Sequence, residues 1–495
     1  MSVDMEWIDL SKDHHGNRET RVKVRSHAMR ATAASRRKNI AWGKRNLRQL
    51  PADLVINEAT RAATVASNEK AYTDVIDSAS QTVALSVLPG HFSWATNISP
   101  NMPLSGLELL AAEIGIHVLD LSALTEIQCG WTACAILASQ RSCISGLVSR
   151  RQPSYLYCVA SRYGYNPYLD EALRCVAIRA KRVLAPSCQA FEESESRQYA
   201  SALHGLQVAI DSVEERNRPE VLCAINLLSL FELLHFTRQE AWALHTAGAS
   251  RLIRARGPAS FVSDLDIRIL LSMMTSITHE FLRNNEACYF EEVSWQQMFQ
   301  SFVITNDSFS SRSHLSISLS CIMVKGPRLV RDVRKVVSGS DVGRGPDVAR
   351  LRETLREYRN ELLRWHAEYD SITLTAPPPG STPAPSEDVR SELLATYHGL
   401  VAITSRLISA VSTDLVEVLE DDAVAHANEM VELERNVLLT NKWASFYICQ
   451  KLIVARATLA TTGMWRESSR HYTNIIDEHT FEAWWSHIIG KLHSS

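Results

Sequence analysis

Between Leu351 and Tyr369 the large apolar residues Leu351, Leu355, Tyr358, Leu362, Trp365 and Tyr369 recur at steps of 4, 3, 4, 3 and 4, with Arg and Glu filling the other faces. Those intervals fall on one side of an α-helix, so the segment predicts an amphipathic helix with a single apolar seam. Pro219 suits a first helical turn. After it come Val221, Leu222, Ala224, Ile225, Leu227, Leu228, Leu230, Phe231, Leu233 and Leu234, apolar nearly all round. A helix without a polar face must lie inside other helices. From Arg238 a further helix carries Trp242, His245, Leu252 and Ile253 and stops at Gly257-Pro258, a pair that ends helices. With the preceding helix it predicts an antiparallel hairpin. Leu393, Leu394, Tyr397, Leu400, Val401, Leu407, Ile408 and Val411 predict another helix, and more follow, including one with Phe481, Trp484 and Trp485. No run alternates with period two between turn signals. The expected class is all-α, an irregular multi-helix domain built from antiparallel helical hairpins.

The 495 residues are 45% hydrophobic and 22% charged, which excludes wholesale disorder. No stretch approaches the roughly 20 apolar residues of a membrane span, and Met1 to Leu10 is acidic where a leader would be basic and then apolar. No membrane partner is therefore expected. Charge is divided unevenly along the chain. From Arg18 to Arg48 eleven Lys or Arg stand against one acidic residue, giving +10, whereas beyond Arg48 there are 40 basic and 50 acidic residues, giving −10. The expected organisation is a basic arm over residues 1–50, a helical regulatory-type domain over 51–370, a Pro-rich loop over 371–390, and C-terminal helices over 391–495 packed on the same body. The loop rests on Pro377, Pro378, Pro379, Pro383 and Pro385, which cannot continue a helix.

Signatures of enzymatic chemistry are mostly missing: there is no phosphate-binding Gly-rich loop and no nucleophile elbow. The ten cysteines have irregular spacing and suit reduced core thiols better than metal ligands. His279-Glu280 lacks the second histidine of a zinc helix and is expected to be a solvated helix edge. Glu420-Asp421-Asp422 suggests a magnesium-binding helix, but without a final carboxylate or a second constellation it predicts a charged helix face. His471, Asp477, Glu478 and His479 could be drawn into an acid/base site, and Trp242 with His245 shares one helix face. For that pair the expectation is structural, with the tryptophan in the core and the histidine bonded to a neighbouring turn. No catalytic residue, metal site or cofactor is assigned. Arg25, Arg30, Arg36, Arg37 and Lys38 are the candidate functional residues. Dense positive charge attracts phosphate by counterion release, and Ser35-Arg36-Arg37-Lys38-Asn39 suits a nuclear import address.

Val24-Arg25-Ser26-His27-Ala28-Met29-Arg30 with its following basic helix resembles the N-terminal element of fungal-specific transcription factor domain proteins, the zinc-cluster regulators. The Pro219 to Pro258 hairpin is similar to their central helical pair through Trp242, His245, Gly248, Leu252, Ile253, Arg256, Gly257 and Pro258. The resemblance covers residues 20 to 470 loosely and is specific at those two places. It implies an all-helical regulatory domain in a nuclear regulator, often tied to secondary metabolism. One departure matters: no cysteine precedes Cys129, so the binuclear zinc cluster has no ligands. The function expected is regulation or co-regulation of transcription in a fungal metabolic pathway without a zinc cluster. Its partners would be DNA or a DNA-binding protein and a small-molecule effector, and its location the nucleus. The alternatives are a metabolic enzyme on the same helical fold, with a site in a helical cavity, and a scaffold that docks a partner on an exposed seam such as Leu351 to Tyr369.

Overall fold

The computed structural model describes residues 106–125, 127, 133, 137, 144, 147–148, 154–184, 192–235, 241–304, 308–339, 346–375, 385–412, 416–440, 444–471 and 476–489. The chain divides into two units, Met1–Pro100 and Asn101–Ser495, and the described residues all belong to the second. Among them the elements are helices and no strand occurs, so the class is all-α. In order they are α1 (Gly106–Ile114), α2 (Ser122–Thr125), α3 (Leu156–Val159), α4 (Pro167–Leu184), α5 (Glu192–Asp211), α6 (Pro219–His235), α7 (Ala241–Arg256) and α8 (Asp264–Asn284). After these come α9 (Val293–Ser301), α10 (His314–Met323), α11 (Gly326–Val337), α12 (Pro346–Thr375), α13 (Pro385–Ala410), α14 (Val416–Thr440), α15 (Ala444–His471) and α16 (Glu478–Ile488).

Helix α6 is the centre of the first half. Its residues Val221 through Leu234 are buried without a break, because α2, α4, α5, α7 and α8 pack around it. Each large apolar side chain fully withdrawn from water contributes roughly 1.5–3 kcal/mol, and this helix has almost no other face. Its C-terminal carbonyls need donors. Arg179 of α4 supplies them, with Nε donating to the Leu234 carbonyl and an Nη to that of His235. Helix α7 ends where Gly257 adopts φ 72°, ψ 163°, a backbone region open to glycine almost alone. Beyond that turn Ser263 caps α8 by accepting from the Asp266 amide, and a buried Arg256–Asp266 ion pair of 2.7 Å ties α7 to α8. Ser313 and Asp477 cap α10 and α16 in the same way.

The second half gathers on another apolar cluster, built from residues between Phe309 and Ile489. Here α13, α14 and α15 pack against one another, α12 lies on α13, and α16 lies on α15. The α12 seam faces inward: Leu355, Tyr358, Leu362, Trp365 and Tyr369 are all buried, and Trp365 Nε1 donates to the Leu315 carbonyl at 2.9 Å. This corrects the expectation of an exposed docking seam, since a stripe that already covers a core has no surface left for a partner. The Pro-rich segment is also shorter than 371–390. Helix α12 continues to Thr375, and α13 begins at Pro385 itself, because proline is tolerated in a first turn whose N–H groups have no helical acceptor. The halves meet where Tyr447 of α15 joins the first core and donates its hydroxyl to the Ala123 carbonyl at 2.8 Å.

Candidate functional site

Arg25, Arg30, Arg36, Arg37 and Lys38 lie outside the described residues. Within the body, the acidic triplet separates. Glu420 points inward and accepts from Arg406 Nε and Nη at 2.9 and 2.5 Å. Asp421 is exposed and meets Arg466 at 2.6 Å. Asp422 accepts from Arg359 at 2.9 Å and from Ser405 Oγ at 2.6 Å. Magnesium binding requires carboxylate oxygens that converge; these three diverge toward three guanidinium groups. Asp477 is similarly occupied. It accepts from the Thr480 amide and hydroxyl and from Ser468 Oγ, and these bonds hold its carboxyl below the usual range against the effect of burial. The Asp477 group is thus a helix cap.

His279-Glu280 departs from the expected solvated edge. Glu280 is buried and accepts from Arg283 and Asn284, and burial lowers the His279 imidazole. The described cysteines form no disulfide with one another: Cys175, Cys223, Cys288 and Cys321 are buried, and Cys158 and Cys449 half-buried. Burial raises the thiols of Cys175 and Cys288 to about 12, which keeps them protonated and poorly nucleophilic.

Trp242 is buried in the core as expected. His245, however, is bonded across helices and not to a neighbouring turn. Tyr199 Oη of α5 donates to Glu232 of α6 at 2.5 Å, so the same oxygen is left to accept from His245 Nε2 of α7 at 3.1 Å. Burial lowers the His245 imidazole to about 4. This His–Tyr–Glu chain joins three helices, and its geometry is that of a satisfied polar network in the core.

A second imidazole group stands at the junction of α12, α13 and α14. His398 Nδ1 and His426 Nδ1 face each other at 2.8 Å. His366 stacks on Tyr397 at 4.4 Å between centroids and meets the His398 ring at 6.3 Å. Its Nδ1 lies 3.3 Å from Asp370. His426 Nε2 lies 3.7 Å from Asp422 Oδ1, the carboxylate already fixed by Arg359 and Ser405. That anion favours a proton on His426 Nε2, which makes His426 Nδ1 the acceptor and His398 Nδ1 the donor. His398 then keeps a lone pair on Nε2. Burial, followed by the neighbouring His426 and His366, lowers His398 to about 4; burial also lowers His426, with Asp422 acting in the opposite direction. The two facing nitrogens can share one proton but not two, because a second places N–H against N–H. The arrangement can relay a proton between Asp422 and His398, or hold a cation on imidazole lone pairs.

Sequence reasoning passed over His366, His398 and His426. A signal was present, since Asp422 with His426 and His366 with Asp370 are both spaced four apart, which places each carboxylate beside its imidazole on one helix face. What brings the imidazoles of the three helices together is tertiary and leaves no local trace.

No family model matches the chain, and no solved structure matches it. Among curated proteins it is similar to an uncharacterized protein of Emericella nidulans, AN5342, at 25% identity over 141 residues. That similarity covers 28% of this chain and 30% of the relative, so the chain spans less than a third of the length of the protein it matches.

Proposed function

We propose that the protein is a regulator or co-regulator of transcription in a fungal metabolic pathway, acting in the nucleus without a zinc cluster. The observation that carries this reading is the division of charge, +10 over residues 18–48 against −10 beyond. Arg25, Arg30, Arg36, Arg37 and Lys38 bind phosphates, which confers affinity without base reading, and Arg36-Arg37-Lys38 serves import. Sequence choice then falls to a DNA-binding partner, while the helical body receives that partner or a small-molecule effector. The ion pairing of Glu420, Asp421 and Asp422 counts against the magnesium-binding helix that the triplet suggested. Replacing Arg36, Arg37 and Lys38 together with Gln should abolish nuclear accumulation and reduce the log–log salt slope of DNA retention by about one for each phosphate no longer neutralised. Unchanged localisation together with unchanged retention removes the arm's role.

The second reading, a metabolic enzyme on this helical body, is favoured by one observation: the gathering of His366, His398 and His426 beside Tyr397. A deletion strain separates the two. Broad transcript changes support regulation, whereas one accumulating precursor with unaltered transcripts supports catalysis.

A further inference from the structure

His398 on α13 and His426 on α14 form the tightest imidazole pair among the described residues, with Nδ1 atoms 2.8 Å apart and ring centroids 5.0 Å apart. Two imidazoles bound to one tetrahedral ion at about 2.0–2.1 Å place their nitrogens roughly 3.3 Å apart. The pair therefore needs to open by about half an ångström, a distance that small side-chain rotations supply, and the proton on His398 Nδ1 passes to its Nε2, where the lone pair stands, so that both Nδ1 atoms face the ion. Behind His426 stands Asp422, 3.7 Å from Nε2 and anchored by Arg359 and Ser405. A carboxylate on the far nitrogen orients a metal-binding imidazole and raises its basicity. Neutral imidazole is the ligand that zinc, nickel and copper prefer over magnesium or calcium.

We propose that His398 and His426 form a binding site for a divalent zinc-, nickel- or copper-type cation, held through the two Nδ1 atoms and backed by Asp422. Among the described residues no third histidine, cysteine or carboxylate converges with them. The ion therefore keeps its remaining positions for water or an added ligand, as open sites do and closed structural sites do not. Such an ion bridges α13 to α14, and through Asp422 and Arg359 to α12. The inference is independent of any binding of the basic segment to DNA.

The test uses the full chain. Cu2+ is added to one equivalent and read by electron paramagnetic resonance, and Zn2+ affinity is measured by calorimetry. The expected wild-type spectrum shows coupling to two imidazole nitrogens. His398→Asn and His426→Asn should each weaken Zn2+ binding at least tenfold and remove that coupling. Asp422→Asn should weaken it about tenfold, whereas His204→Asn, on the exposed side of α5, should leave both readouts unchanged. Far-UV circular dichroism checks that each variant is folded, and where one is not, the wild-type spectrum decides. Absence of two-nitrogen coupling in the wild type, or unchanged Zn2+ affinity in folded His398→Asn and His426→Asn, overturns the proposal and assigns any binding to other histidines of the chain's 17.

Discussion

Arg406→Met tests the C-terminal helices at their most constrained point. The Arg406 side chain is 0% exposed and that of Glu420 1%. The guanidinium donates to both carboxylate oxygens, to Thr461 Oγ1 at 2.7 Å and to the Thr458 carbonyl at 2.9 Å. It also lies 4.6 Å from the Trp465 ring and 5.4 Å from the Trp484 ring. Burial raises the Glu420 carboxyl and lowers Arg406, and their pairing opposes both shifts. Methionine keeps most of the volume but leaves Glu420 as an uncompensated buried anion, a change that costs about 3–5 kcal/mol. The urea midpoint, followed by circular dichroism and tryptophan fluorescence, should fall accordingly. Arg406→Met/Glu420→Leu should recover most of the loss, because replacing both members by apolar groups is often neutral or stabilising. The single variant also has a pH signature. Its lone carboxyl has a folded pKa above the unfolded value, so the penalty is absent below the unfolded value and grows as pH rises through the folded one. A loss under about 1 kcal/mol, or a double variant no better than the single, would refute the view that this pair is held by mutual compensation.

His245 should make the protein acid-sensitive. Its pKa falls from 6.5 unfolded to about 4 folded, so the unfolded chain binds the extra proton between those values. Stability is full above pH 6.5 and declines toward pH 4 by about 3 kcal/mol at 1.36 kcal/mol per unit. His245→Gln, which can still bond Tyr199 but does not titrate, should flatten that decline in urea melts taken across the window. Leu355→Ala, in the buried seam of α12, should cost about 2–5 kcal/mol by cavity formation, and a loss near zero would return the seam to the surface. Gly257→Ala meets no neighbouring atom within 4 Å, yet its backbone at φ 72°, ψ 163° should cost about 1–3 kcal/mol in thermal or urea unfolding.

The helices were legible wherever apolar spacing was dense. Val221 to Leu234 announced a helix buried on every side, and Gly257-Pro258 marked the stop after Arg256. Leu351 to Tyr369 revealed the helix but not its environment, because a seam of period 3.5 fits a core and a docking face equally well. Pro385 misled for a related reason: proline forbids a helix interior and permits a helix start, and only the chain beyond it decides which. The Glu420-Asp421-Asp422 triplet was legible as charge but not as three separate ion pairs, since Arg406, Arg466 and Arg359 come from three other helices.

These pairings also show why the imidazole group differs from the other polar clusters of the body. Arg406 with Glu420, Arg256 with Asp266, and Arg179 and Arg182 with Glu195 each set a guanidinium against a carboxylate. The first two balance charge within themselves and the third leaves one positive charge over, and all three tie neighbouring helices together. The facing Nδ1 atoms of His398 and His426 are different, because two neutral imidazoles have no charge to balance and need one shared proton, or one cation, to be satisfied. Asp422 adds negative charge on the far side of His426 while Arg359 partly offsets it. The same helices also supply the His366–Tyr397 stack. Among the described residues, the meeting of α12, α13 and α14 is therefore where imidazoles from three helices, those of His366, His398 and His426, come together.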